Sequence, residues 1–143
     1  PDLIDTIKGA MRLQSTGVEI LGDECYFLGF PFGFNTKDNG RLNEGFPFPL
    51  IKKATFSGAN IENGVSFILL DGHNNPGFSG GPVIFIDRHA KDNNKWFVGG
   101  VISAYINERK QMVTPFGKFN YDENSGIVVA ISIKHIRELI KSQ

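Results

Sequence analysis

Six stretches rich in β-branched and aromatic residues punctuate this chain: Glu24–Phe30, Lys53–Ser57, Val65–Leu70, Pro82–Ile86, Trp96–Ala104 and Gly126–Ile131. Clusters of Gly, Asn, Asp and Pro separate them, so each reads as a β-strand bounded by turns. Asn35–Leu50 and Arg88–Lys95 are polar or Gly/Pro-punctuated and read as loops, and Asn107–Glu123 as an irregular hairpin or loop. The pattern predicts an all-β fold. Six strands suit a closed antiparallel barrel, because an open sheet of this length would leave edges that invite aggregation.

Helical periodicity is confined to the ends. Ile133, Ile136 and Ile140 share one helical face while Lys134, Arg137, Glu138 and Lys141 point outward, and Ser132 stands where a cap is needed. A short C-terminal helix packed on the barrel follows. Near the start, Ile4, Ile7 and Met11 recur at helical spacing after Pro1-Asp2, which allows a short helix or a connector over residues 1–17, leaving 18–143 as the barrel unit.

Composition narrows the function classes. At 143 residues with 41% hydrophobic content the chain is one domain with a real core. Fifteen basic residues balance fifteen acidic ones, which argues against nucleic acid or an anionic membrane as partner. No apolar run reaches transmembrane length and no signal peptide is visible. Starting at Pro1 without methionine, the chain is expected to be a processed or trimmed piece. Its one cysteine, Cys25, lies within an apolar strand pattern and reads as a core thiol, and a single thiol forbids an internal disulfide. A reducing, cytoplasmic setting fits best, although disulfide-free proteins are also exported. No His, Cys and carboxylate cluster stands at ligand spacing, so neither metal nor cofactor is expected.

The candidate chemistry lies in Gly77-Phe78-Ser79-Gly80-Gly81-Pro82-Val83. At average residue usage the letters G-x-S-G-G-P arise by chance in about one window in a million, so a Gly-rich turn with a bystander serine is the weaker reading. Acyl transfer needs an exposed hydroxyl and two backbone N–H groups aimed at the oxygen that becomes negative in the tetrahedral intermediate. Ser79 supplies the hydroxyl. Gly77 and Ser79 are positioned to supply the two amides, while Gly80 and Gly81 keep side chains out of the space a substrate fills.

The motif resembles the nucleophile turn of the trypsin-like (chymotrypsin-fold) serine peptidases, and among them the disulfide-free bacterial type. Gly22-Asp23-Glu24-Cys25-Tyr26-Phe27-Leu28-Gly29-Phe30-Pro31-Phe32-Gly33 is similar to the first strand of that family's second barrel with its G-x-P turn. Val98-Gly99-Gly100-Val101-Ile102-Ser103-Ala104 resembles the substrate-holding strand, and Gly126-Ile127-Val128-Val129-Ala130-Ile131 the last one. The resemblance spans residues 18–143 and implies a six-stranded antiparallel Greek-key barrel, the C-terminal lobe of a serine endopeptidase. It implies Ser79 as nucleophile and the Gly77 and Ser79 amides as oxyanion hole. It also implies a substrate site around His73, Asn74, Ile102, Ser103, Ala104, Tyr105 and Gly126.

The family takes its triad histidine and aspartate from a first barrel, for which no room precedes residue 22. Neither His73, His89 nor His135 stands in the family's setting for the base, and Asp2 and Asp5 lack the alanine that follows the family's aspartate. Phe78 replaces the aspartate with which trypsin pairs a freed N-terminus, so that route of activation is not expected here. The chain alone is therefore expected to be inactive, the missing lobe or another chain being its partner along with a polypeptide substrate. A catalytically dead, protease-derived peptide-binding or assembly module is the alternative.

Overall fold

In Glu24–Gly29 the buried positions Cys25, Phe27 and Gly29 alternate with more exposed ones, the two-residue period of a strand with one face on a core. The computed structural model, which describes residues 12–13, 21–31, 48–87 and 96–142, repeats this logic around a ring. Its elements are β1 (Arg12–Leu13), β2 (Glu24–Gly29), β3 (Leu50–Glu62), β4 (Val65–Asp71), β5 (Pro82–Ile86), β6 (Trp96–Thr114), β7 (Gly117–Ser132) and α1 (Ile133–Lys141). Strands β2 to β7 pair antiparallel in the order β6-β5-β2-β3-β4-β7, and β7 pairs with β6 to close the barrel. The all-β expectation and its short terminal helix hold.

Connectivity positions the serine turn. Strands β2, β3 and β4 are successive neighbours, but β5 lies beyond β2, so residues 72–81 must cross the end of the barrel. That Greek-key crossover carries Ser79. Phe78 on it is fully buried and joins a core of Cys25, Phe27, Ile68, Leu70, Phe85, Phe97, Ile102 and Val128. Each such side chain contributes about 1.5–3 kcal/mol of transfer free energy. Phe78 meets Phe27 edge-on at 5.2 Å, so the crossover is anchored from beneath by an aromatic contact.

Two strand pairs run further than the residue pattern predicts. Strand β3 continues past Ser57 because a bulge between Phe56 and Gly58 takes up Ser57 as the extra residue and lets Gly58 pair with Leu69, and the Asn63-Gly64 turn, both residues at positive φ, joins it to β4. The stretch Asn107–Glu123 forms a regular ribbon instead of an irregular hairpin or loop. Asn107 pairs with Asn124 and Thr114 with Gly117, beyond the reach of β5 and β4. Charges that read as loop composition are cross-strand partners here: Arg109 lies 4.0 Å from Asp122, and Lys110 pairs with Glu123. Phe116 at the ribbon tip is 94% exposed.

Ser132 caps α1, its Oγ accepting from the Lys134 N–H at 3.4 Å. Ile133 is buried, and His135 Nε2 accepts the Ser66 N–H at 2.8 Å, tying the helix to β4. Near the N-terminus, Arg12 and Leu13 pair in parallel with Phe97 and Val98 of β6. The remainder of the expected 1–17 helix or connector, Asp2 and Asp5, the turn at Phe32-Gly33, the Arg88–Lys95 loop with His89, and the Asn35–Leu50 loop up to residue 47 lie outside the described residues. Among the described residues no helix is long and apolar enough to cross a membrane.

Candidate active site

The serine turn is built from glycines that approach neighbouring backbone too closely for a side chain. Gly77 has φ +101°, and a Cβ there would stand 2.5 Å from the Phe30 carbonyl oxygen. A Cβ on Gly81 would lie 1.8 Å from the Leu28 carbonyl oxygen. Gly29 leaves space for Phe78, whose ring carbon would sit 2.5 Å from an added Cβ. Gly80, at φ +84°, faces open space and is required by conformation alone.

Hydrogen bonds hold the turn to the strands on either side. Phe30 N–H donates to Gly77 C=O at 3.0 Å, Gly80 N–H to Ile102 C=O at 2.8 Å, and Ile102 N–H to Gly81 C=O at 2.8 Å. Gly81 N–H closes the turn on Phe78 C=O at 2.9 Å. The Phe78 N–H turns back to Asn75 C=O at 3.4 Å, whereas among the described residues the flanking Gly77 and Ser79 amides donate to no partner. Ser79 is exposed, and its Oγ donates to Ser103 C=O at 3.4 Å. Beside it opens a cleft of about 420 Å³ lined by Leu28, Gly29, Phe30, Pro49 and the turn itself. One hydroxyl and two unused amides thus share one exposed turn at a cleft.

The expected substrate residues fall into three groups. Ser103, Ala104 and Tyr105 lie on β6 just past the end of β5, with Ala104 and Tyr105 paired to β7 on one side only. Apart from the Ser103 carbonyl, which accepts the Ser79 hydroxyl, their other edge has no strand partner among the described residues. Ile102 is buried, and both its backbone groups are taken by Gly80 and Gly81, so it supports the turn. Asn74, at 2% exposure, also faces inward: its Oδ1 accepts the Asn75 N–H at 2.8 Å. Asn74 C=O accepts Asn124 Nδ2 at 2.7 Å, and Asn124 Oδ1 accepts the Gly126 N–H at 3.0 Å. Gly126, at φ +80°, returns its carbonyl to Gly72 N–H at 2.8 Å. His73 is exposed and offers its carbonyl to Lys52 Nζ at 2.6 Å.

Two residues of this network, Lys52 and Asn124, carry no sequence signal. Lys52 reads as half of a surface Lys-Lys pair and Asn124 as loop composition. No general base bonds to Ser79 Oγ among the described residues; His135 is engaged with Ser66 at α1. The Cys25 thiol is buried, and desolvation pushes its pKa up to about 12, so it stays a neutral core group. Among the described residues no three His, Cys, Asp or Glu side chains gather as a metal site. Compared with known proteins, the sequence matches no family model and no curated protein.

Proposed function

We propose that this chain is the nucleophile-bearing lobe of a serine endopeptidase, with Ser79 attacking the scissile carbonyl and the Gly77 and Ser79 amides receiving the oxyanion. The observation that carries the reading is the exposed serine on an inverted glycine turn whose two flanking amides have no partner among the described residues while the intervening Phe78 amide turns inward. A closed antiparallel Greek-key barrel with that turn across its end is the architecture the resemblance implies. Past Ser103, whose carbonyl accepts the Ser79 hydroxyl, β6 has no strand partner on that side among the described residues, and an extended peptide would pair there by strand addition. The base and its orienting carboxylate come from outside the described residues.

A serine hydroxyl without a base stays protonated near neutral pH. Loss of a triad member lowers kcat by roughly 10⁴- to 10⁶-fold in enzymes of this mechanism, so the 143-residue chain alone is expected to hydrolyse no peptide at a useful rate. The test is intact-mass detection of a fluorophosphonate adduct on this chain, on its Ser79→Ala variant, and on a longer form supplying a first barrel. Adduct at Ser79 in the longer form alone is the expected result. Adduct on the short chain would mean that it holds its own base, and silence in all three would remove the serine chemistry. The open β6 edge favours one second reading, a peptide-binding module, for which peptide affinity would survive Ser79→Ala.

A further inference from the structure

Inward-facing positions on the first part of β3 are Leu50, Lys52 and Ala54, and Lys52 pairs with Phe27 of β2 at the end of the barrel under the crossover. A lysine there is unusual company for Phe27 and Phe78. Its ammonium donates to His73 C=O at 2.6 Å and to Asn75 Oδ1, and stands 5.1 Å from the centroid of the Phe78 ring. All three partners belong to the segment 73–78 that leads into the serine turn. Among the described residues no carboxylate pairs with Lys52, so its charge is met by a carbonyl, an amide oxygen and an aromatic face.

The segment's own bonding explains what such a cation does. The His73 carbonyl and the Asn75 side-chain oxygen converge on one point, an arrangement of two negative dipole ends that needs a donor between them. The backbone bond that turns the Phe78 amide inward is long, at 3.4 Å. A three-donor ammonium seated among these groups joins the oxygens and lies over the ring that plugs the barrel end.

We propose that Lys52 is the positioning residue of the serine turn, pinning residues 73–78 in the conformation that leaves the Gly77 and Ser79 amides facing the cleft. The catalytic meaning of the pin rests on the reading of those amides as oxyanion donors. Lys52 touches no reacting atom in this scheme and acts through Asn75 and Phe78.

Residue-resolved amide exchange on the full chain tests it. Lys52→Met keeps the unbranched stem and removes the donors, and Lys52→Arg restores a cation. In Lys52→Met, exchange at the Phe78, Gly80 and Gly81 amides is expected to rise at least tenfold, with Phe85 and Phe97 in the core unchanged and Lys52→Arg within threefold of the parent. Asn75→Leu, which removes one acceptor from the opposite side, carries the same expectation and serves if Lys52→Met does not fold. Exchange within threefold of the parent, or a uniform rise that includes Phe85 and Phe97, would overturn the pin. Fluorophosphonate labelling of the longer form separates the two readings: labelling of the parent slowed tenfold by Lys52→Met and recovered by Lys52→Arg supports the pin acting on the serine. An unlabelled parent with the exchange pattern intact sinks the serine chemistry and leaves the pin standing.

Discussion

Gly80 and Gly81 are adjacent, yet the same substitution has different costs at the two. At Gly81 an alanine Cβ meets the Leu28 carbonyl oxygen at 1.8 Å, and backbone cannot swing aside as a side chain can. Gly81→Ala is expected to cost about 3 kcal/mol or more through overpacking. At Gly80 the space is open but φ is +84°, so Gly80→Ala is expected to cost about 1 kcal/mol of left-handed strain. Chemical unfolding of the two variants checks the order, and equal losses would contradict it. Cys25 offers a test by pH. Desolvation pushes its thiol up to about 12 from the ordinary 9.0, so above about pH 9 the unfolded chain sheds a proton that the folded chain keeps. Its contribution is intact below that pH and is lost as pH rises towards 12, at up to about 1.4 kcal/mol per pH unit. Cys25→Ala is expected to flatten that alkaline decline in urea midpoints, whatever it costs at neutral pH. The glycines and Cys25 were legible as residues because their demands are local. Lys52 and Asn124 were not, since their partners lie 21 and 50 positions away.

At the scale of elements, strand existence followed from the apolar pattern and strand length did not. Each of the six predicted segments lies within or overlaps a barrel strand, and Ser132 caps the terminal helix as its hydroxyl allows. The ribbon of β6 and β7 departs from prediction because its polar sequence has no buried face to impose alternation. Its backbone pairing sets Lys110 opposite Tyr121 and Arg109 opposite Asp122, and exposed ion pairs such as Lys110 with Glu123 stabilise little. Replacing residues 108–123 by a two-residue Asn-Gly turn is therefore expected to leave the melting temperature within about 3 °C, a 1 kcal/mol change being worth roughly that much in a domain this size. Asn124 must be retained, because it joins Asn74 C=O to the Gly126 amide beside the crossover. A large loss of stability on deletion would show that the ribbon supports the barrel.

For the whole molecule, closure of the ring is the decisive event. It sends residues 72–81 across one end and leaves β6 beyond Ile102 without a strand partner on its serine side among the described residues. The prediction that the chain alone turns over no peptide belongs to this scale, since under the proposed function the barrel presents the serine and the two amides while the base comes from outside the described residues. What the sequence by itself determined is what short-range physics encodes: β-branched alternation for strands, glycines where φ must be positive, a serine held among them, a cap before the terminal helix. What only the tertiary structure decided is which polar groups meet. Lys52 reaches His73 and Asn75, Asn124 reaches Asn74, and the Ile102 backbone is taken by Gly80 and Gly81. Those contacts exist because six strands close on one core and bring distant segments to the same end of it, a geometric consequence that no local pattern of residues carries.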